Sequence, residues 1–149
     1  MNVEQICKMI QNEKRLPPDF DQWYLIIDNK KRTTIAHLAA KYNCLPPDFD
    51  RWYLREKNGW TVAHQAAYFI HLPSGFNQWE LADNDGCTVA HQAAMYRYLL
   101  QSDFNQWELA DNDRCTVAQI AYTSGTLPSN FDRWDLIESR WRDNHELFD

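Results

Sequence analysis

Three histidines recur at an interval of 27 residues, as His37, His64 and His91. Imidazole nitrogens are common zinc ligands, which makes a shared metal ion the first chemistry to consider. Zinc holds its nitrogen ligands within about 2.1 Å, whereas equivalent residues of packed helical units lie about 8 to 10 Å apart. The histidines are therefore predicted to cap helices, each reaching back to the first turn that the threonine three residues earlier opens.

The four cysteines, Cys7, Cys44, Cys87 and Cys115, show no paired spacing. Cys87 and Cys115 occupy equivalent positions in successive repeats, and the separation expected there exceeds the roughly 7 Å that a disulfide allows between Cα atoms. The sequence therefore predicts four thiols in a reducing compartment.

Aspartates cluster in two turns, one at 83–86 (Asp-Asn-Asp-Gly) and one at Asp111 and Asp113. An EF-hand loop needs a glutamate six residues after its glycine, and Gln92 stands at that position here. Paired carboxylates catalyse only where a cleft holds them and separates their pKa values. Because the chain also lacks a glycine-rich phosphate loop and a G-x-S-x-G elbow, we expect no enzyme, no cofactor and no metal site.

These residues belong to a repeated unit whose most regular feature is a phenylalanine three residues before a tryptophan. The pair occurs five times at intervals of 29, 27, 28 and 27 residues, and a leucine follows each tryptophan by two positions. Such a period is typical of units that bury their apolar faces against their neighbours. The pairs are Phe20/Trp23, Phe49/Trp52, Phe76/Trp79, Phe104/Trp107 and Phe131/Trp134.

Two helices are predicted in each unit. The inner helix opens with a threonine N-cap and carries alanines at i, i+3 and i+4, which leave a flat face for close packing; it is expected at 34–40, 61–67, 88–94 and 116–122. The outer helix follows a Leu-Pro step, because Leu45, Phe49 and Trp52 fall at i, i+4 and i+7. The predicted fold class is all-α, a helical-repeat solenoid of about five short helix pairs joined by turns.

Residues 83–94 read D-N-D-G-C-T-V-A-H-Q-A-A and resemble the ankyrin-repeat pattern D-x-x-G-x-T-P-L-H-x-A-A. The resemblance covers the chain from Pro17 to about Leu136. Valine or isoleucine replaces the proline of the pattern, alanine replaces its first leucine, and the period is 27 to 29 residues instead of about 33. The resemblance implies a compact ankyrin-like solenoid.

The chain is predicted to form one repeat domain over residues 1–149. The apolar stripe in residues 3–12 indicates a terminal cap. Aromatic residues of the C-terminal tail either cover the last helix pair or dock a partner. The predicted parts are an N-terminal capping unit at 1–29, four repeats at 30–137 and a C-terminal cap at 138–149.

Charge is distributed unevenly around a net charge of -6. Residues 1–74 hold ten Lys and Arg against eight Asp and Glu (10 - 8 = +2), whereas residues 75–149 hold five against thirteen (5 - 13 = -8). The acidic half either steers a basic partner surface or keeps the protein in solution. Direct nucleic-acid binding is not expected, and without an 18-residue apolar run or a secretory signal neither is a membrane span. The predicted location is the cytoplasm, of its own cell or of a host cell.

Residues that vary between repeats are the candidates for partner contact, because the repeated positions build the stack. They lie at the turn tips and just after the inner helices. Interfaces are enriched in Trp, Tyr and Arg, although Tyr68, Phe69 and Tyr98 also fit a simpler role in closing the groove between helices. The predicted partner-binding residues are Lys31, Arg32, Trp60, Tyr68, Phe69, Tyr96, Arg97, Tyr98 and Arg114.

Arg114 replaces the turn glycine present at Gly59 and Gly86. A left-handed backbone costs an ordinary residue about 1 kcal/mol. Either the turn differs at Arg114, or a contact there offsets the strain.

The pattern as a whole predicts a non-enzymatic protein-recognition module, an inhibitor or adaptor that occupies a working surface of its partner. The alternative is an acidic nucleic-acid mimic that blocks a DNA- or RNA-binding enzyme. A third possibility is self-association through exposed aromatic residues, and we expect a monomer or a weak homodimer.

Overall fold

The structure is a computed structural model that describes residues 1–96 and 104–137. The chain divides into two compact units, Met1–Asn84 and Asp85–Asp149. The predicted single repeat domain and its internal boundaries stay predictions. The predicted C-terminal cap at 138–149 lies outside the described residues.

The first unit begins with helix α1 at Val3–Lys8, which continues as a π-helical turn at Met9–Glu13. Strands β1 (Ile26–Asp28) and β2 (Thr33–Thr34) follow, and then helices α2 (Ile35–Lys41) and α3 (Val62–Tyr68). In the second unit the helices are α4 (Val89–Ala94) and α5 (Val117–Ser124). Helix α2 packs against α1 and α3, and α4 packs against α5.

The four predicted inner helices are confirmed as α2 to α5. Each begins directly after a threonine whose hydroxyl accepts a hydrogen bond from the backbone N–H three residues later. Their alanines are buried, each with at most 1% of its surface exposed. Because these side chains are small, the helices can approach one another closely. The capping threonines are Thr34, Thr61, Thr88 and Thr116.

The predicted capping role of the histidines is also confirmed. The Nδ1 atom of His37 accepts from the Thr34 backbone N–H (3.3 Å) and lies 2.8 Å from its hydroxyl. The Nε2 atom lies 3.0 Å from the carbonyl of Trp60 in the next repeat. Since a carbonyl only accepts, Nε2 carries the proton and the ring is neutral. His91 repeats this geometry, with Nε2 2.8 Å from the Cys115 carbonyl.

In the last repeat a glutamine takes the place of the histidine. The Gln119 side-chain oxygen accepts from the Thr116 N–H at 2.8 Å, and its Nε2 donates to the Leu136 carbonyl at 3.1 Å. An amide therefore supplies the same cap and a second contact without a titrating group.

The predicted all-α solenoid of helix pairs is wrong, because the outer helix of each pair is absent from the described residues. Residues 45–54 instead form two turns, in which Phe49 N–H donates to the Pro46 carbonyl (3.1 Å) and Leu54 N–H to the Arg51 carbonyl (3.2 Å). A segment this short nucleates a helix poorly. Its apolar spacing fits a helix, but its backbone carbonyls have partners elsewhere.

Those partners are the first amide groups of the following inner helix. Trp52 and Leu54 accept from Ala63 N–H (3.3 Å) and Val62 N–H (3.0 Å). The same pair of contacts joins the Trp23 and Leu25 carbonyls to α2 and the Trp107 and Leu109 carbonyls to α5. What the sequence presents as an outer helix is a capping segment for the inner one.

Short antiparallel pairing further separates the fold from an all-α class. Strand β1 pairs with β2 through Ile26 and Thr34. Isolated bridges join Arg55 to Thr61 and Ala110 to Thr116 in the same way. In each of these turns, the capping threonine therefore forms an antiparallel pair with a residue that precedes the turn.

Each unit contains a column of alternating phenylalanine and tryptophan rings. Phe49 lies 5.3 Å from Trp23 of the preceding segment and 5.0 Å from Trp52 of its own, with the ring planes 80° and 90° apart. Edge-to-face pairs of this kind contribute about 0.5 to 1.5 kcal/mol beyond the burial of their area. The columns are Phe20, Trp23, Phe49, Trp52, Phe76 and Trp79 in the first unit and Phe104, Trp107, Phe131 and Trp134 in the second.

The turn tips stack on one another through backbone hydrogen bonds. Asn84 N–H donates to the Asn58 carbonyl at 3.1 Å, and a Cβ atom on Gly59 (φ +85) would lie only 2.6 Å from the Asn84 nitrogen. Arg114 has φ 67, so its turn is left-handed like that of Gly59, and the expected strain is present.

Arg114→Gly is expected to raise the melting temperature, because glycine adopts the left-handed backbone without the penalty of about 1 kcal/mol that a side chain brings. The greater freedom of glycine in the unfolded chain offsets part of this gain, which leaves a rise of about 1 to 3 °C. Gly86→Ala should lower the melting temperature by several degrees, since the new Cβ would lie 2.8 Å from the Asn112 nitrogen.

Gly75→Ala is the matched control for both variants, because no heavy atom lies within 4 Å of its Cβ position. Thermal unfolding followed by circular dichroism measures all three. A lower melting temperature for Arg114→Gly would show that the arginine side chain makes a contact worth more than the strain.

His37→Gln is expected to make stability less sensitive to acid. Burial lowers the pKa of His37, and the hydrogen bond to the Trp60 carbonyl and the charge of Glu56 only partly oppose this. Unfolded histidine, with a pKa of about 6.5, therefore binds the proton more readily than the folded one. The neutral ring stabilises fully above about pH 6.5, and this contribution is lost as the pH falls below it.

Melting temperatures of the wild type and of His37→Gln, measured at several pH values from pH 8 to pH 5, test this. The range brackets the ordinary histidine pKa of about 6.5. At pH 8 the two proteins should differ by no more than about 1 kcal/mol in stability, because glutamine keeps the cap as Gln119 does. Below neutrality the wild type should fall more steeply. Parallel curves would mean that His37 does not contribute to the pH dependence.

Candidate protein-binding surface

One face of α2 and α3 remains outside the core. Most side chains of these helices are buried, but Leu38 and Gln65 are half-buried and Lys41 and Tyr68 are exposed. They occupy the fourth and seventh positions after the capping threonines, which fall on one side of a helix. This side faces the turn tips that precede each helix.

A concave groove of about 850 Å³ lies between the tips and that helix face. We call it the lysine groove, and its charged residues are Asp28, Lys30, Lys31, Lys41, Glu56 and Lys57. The Lys57 N–H donates to the Lys31 carbonyl at 2.7 Å, which fixes the two tips side by side. Apolar contact comes from Ile27 and Leu38.

Next to the groove, Trp60, Tyr68 and Phe69 form what we call the aromatic cluster. The ring centroids of Trp60 and Tyr68 are 6.5 Å apart, and those of Tyr68 and Phe69 are 4.9 Å apart. Trp60 Nε1 donates to the Gln65 side-chain oxygen at 2.8 Å, which orients the indole. Lys41 Nζ lies 5.5 Å from the Phe69 centroid and connects the cluster to the groove.

The structure thus brings together several of the predicted contact residues. Tyr68 lies beside both Trp60 and Phe69, and Lys31 lines the adjoining groove. The exposed Arg32 has φ 65, and its N–H donates to the Asp28 carbonyl at 2.8 Å.

The remaining predicted contact residues belong to the Asp85–Asp149 unit. Tyr96 and Arg114 belong to the second unit, where Tyr96 is half-buried and Arg114 is exposed. Arg97 and Tyr98 lie outside the described residues. Tyr68 is 50% exposed, and the two roles predicted for it both stay predictions.

Lys41, Lys57 and Gln65 line the groove but are not among the residues predicted from the sequence. Lys41 occupies the same repeat position as Tyr68, and Lys57 the same position as Asn84. Variation between repeats was therefore the available signal for both lysines. Their convergence on one groove depends on the stacking of turns, which spacing alone does not reveal.

The second unit presents a different surface. Within residues 104–137, this unit carries two arginines against five carboxylates, at Glu108, Asp111, Asp113, Asp132 and Asp135. One of these arginines, at position 133, donates from Nε to Asp135 at 3.2 Å, and this hydrogen bond lowers the pKa of that carboxyl group.

A second feature of the first unit is the strained residue Ile70. It follows α3 with φ 62 and is 60% exposed, whereas Asn43 and Gly125 hold the equivalent left-handed positions after α2 and α5. A β-branched residue is rarely found in this region. Ile70 lines an apolar pocket of about 370 Å³ together with Leu45 and Leu72, and exposed strain of this kind clusters at functional sites.

Comparison with known proteins does not assign this surface to a family. No protein-family model matches the chain, and no curated protein matches it significantly. Within residues 1–96 and 104–137, no three His, Cys, Asp or Glu side chains are grouped so that they could hold a metal ion. None of the helices described there has the length and apolar character needed to cross a membrane.

Ile70→Asn is expected to stabilise the protein by about 1 kcal/mol, because asparagine tolerates the left-handed backbone and isoleucine does not. The melting temperature should rise by about 2 to 4 °C. Asn43→Ile is the mirror-image control, and it should lower the melting temperature by a similar amount. If Ile70→Asn is destabilising instead, the apolar contacts of Ile70 outweigh its backbone strain.

Proposed function

We propose that this chain is a non-enzymatic protein-recognition module, which binds its partner through the aromatic cluster and the lysine groove of the Met1–Asn84 unit. The observation that supports this most directly is the arrangement of Trp60 beside an exposed Tyr68 at the edge of a concave surface. Trp and Tyr supply much of the binding energy in protein interfaces. The hydrogen bond from Trp60 to Gln65 orders the indole in advance, which reduces the entropy lost on binding.

The mode of action belongs to the same proposal. Binding through a rigid exposed surface suits an inhibitor or adaptor that occupies a working surface of its partner. The resemblance of residues 83–94 to ankyrin repeats supports recognition, although fold analogy alone does not identify a function. The cytoplasm, of its own or of a host cell, is the proposed compartment.

The acidic second unit supports one alternative. Residues 104–137 hold five carboxylates against two arginines, and a nucleic-acid mimic needs such an excess. A mimic would bind a basic enzyme through charge, so its affinity should fall steeply with salt. An interface anchored by aromatic residues should depend on salt much less.

Trp60→Ala with Tyr68→Ala is expected to weaken partner binding at least tenfold, since truncating interface aromatics often costs about 2 kcal/mol or more. The partner is first captured from lysate of the source cell and of its host, identified by mass spectrometry and purified. Its dissociation constant is then measured by calorimetry at low and at high salt.

Tyr53→Ala is the matched control for Tyr68, because Tyr53 is a tyrosine of the same unit with nearly equal exposure, 54% against 50%. The proposal requires loss of affinity in the Trp60 and Tyr68 variants and none in the control. Equal affinities for all variants, combined with loss of binding at high salt, would replace it with the acidic mimic.

A further inference from the structure

The charges of the lysine groove are unbalanced. Four ammonium groups, from Lys30, Lys31, Lys41 and Lys57, line it together with the carboxylates of two acidic residues, which leaves an excess of two positive charges (4 - 2 = 2). This groove belongs to a chain with a net charge of -6. Local charge thus opposes the charge of the whole protein.

Both carboxylates of the groove already accept hydrogen bonds from other groups of the protein. Asp28 Oδ1 accepts from the backbone N–H groups of Lys30 (2.9 Å) and Lys31 (3.2 Å), and Glu56 accepts from the Thr33 hydroxyl. Within the described part of the chain, the four ammonium groups have no carboxylate within the 4.0 Å of a salt bridge. The cations are therefore available to an external acidic group.

The rest of the lining suits an extended peptide. Asn58 and Gln65 add side-chain NH₂ groups, which are of the kind that donates to peptide carbonyls, while their oxygens already accept from Trp60. Ile27 and Leu38 add apolar contacts. Lys41 sits over the Phe69 ring at 5.5 Å, so the positive charge continues into the aromatic cluster. A ligand that carries both carboxylates and an apolar side chain matches both parts of this surface.

We propose that the lysine groove binds an acidic, extended segment of the partner protein, with its Asp or Glu side chains against Lys31 and Lys57 and an apolar side chain against Leu38. This inference rests on the proposed recognition function and adds the chemistry of the partner. It also reverses the charge expected from the sequence, where the acidic half of the chain points to a basic partner.

A peptide fits the groove better than a nucleic acid. The groove contains no arginine, the residue best suited to a bidentate phosphate contact. Asp28 and Glu56 would repel a uniform row of phosphates, whereas a peptide can place its charges selectively. Two apolar residues in the lining offer nothing to a phosphate backbone.

The test uses the full chain and a short fluorescein-labelled peptide with several glutamates around a central leucine, and anisotropy measures binding. A twin peptide carries glutamine at each glutamate position. The acidic peptide is expected to bind at least tenfold more tightly than its twin and to lose affinity as salt rises. Lys31→Gln with Lys57→Gln should weaken its binding at least tenfold.

Lys8→Gln with Arg15→Gln is the matched control, since it removes the same charge from exposed positions outside the groove. Its affinity for the acidic peptide should stay within twofold of the wild type. Equal loss in both double variants would mean that net charge, and no particular site, attracts the peptide, and it would overturn the inference. Tighter binding of a single-stranded DNA oligonucleotide of equal charge would also overturn it.

Failure of this inference can be told apart from failure of the proposed function. The captured partner is tested against the Lys31 and Lys57 double variant and against the Trp60 and Tyr68 variants. If only the aromatic variants lose affinity, recognition stands and the partner segment is not acidic. If neither set loses affinity, the surface itself is wrong.

Discussion

The repeats that contain α2, α3 and α5 depend on a contact between two backbone carbonyls and the start of a helix. An inner helix of six to eight residues is too short to be stable by itself, and its first four N–H groups lack partners inside the helix. At α2 all four are satisfied: two by the Leu25 and Trp23 carbonyls, one by the Thr34 hydroxyl and one by the His37 ring. The aromatic columns hold these carbonyls in place.

The same contact explains which parts of the fold could be predicted. Threonine caps and inner helices follow from chemistry local to a few residues, and those predictions are confirmed. The sequence leaves two alternatives open for the turn at Arg114, and its φ of 67 shows that it is left-handed. The outer helix was predicted from apolar spacing that a helix and a pair of turns satisfy equally. Apolar spacing predicts which side chains share a face. The conformation of this segment instead depends on the main-chain carbonyls of Trp and Leu, whose hydrogen-bond partners lie in the next helix.

The candidate surface likewise has one part that the sequence identifies and one part that it does not. Trp60, Tyr68 and Phe69 differ from their counterparts in other repeats, so comparison of the repeats identifies them. The groove beside them requires the register of neighbouring turns, which is set by the hydrogen bond between Lys57 and Lys31. No pattern within one repeat contains that register. The charged residues of the groove come from three separate segments, at 28–31, 41 and 56–57, so a count over consecutive residues does not reveal that they share one surface with an excess of two positive charges (4 - 2 = 2).

The bridges that His37 and His91 form to the following repeat have a consequence for how such a chain arises. His37 satisfies its own helix with one nitrogen and the carbonyl of the following repeat with the other. A stretch of 27 codons, equal to the interval between successive histidines, therefore encodes three groups together. They are the ring nitrogen that caps the helix, the Nε2–H that donates to the following repeat, and the backbone carbonyl that accepts from the preceding one. Duplicating such a stretch in frame adds a module whose polar groups already have partners on both sides. Gln119 makes the corresponding contact with an amide, whose Nε2 donates to the Leu136 carbonyl.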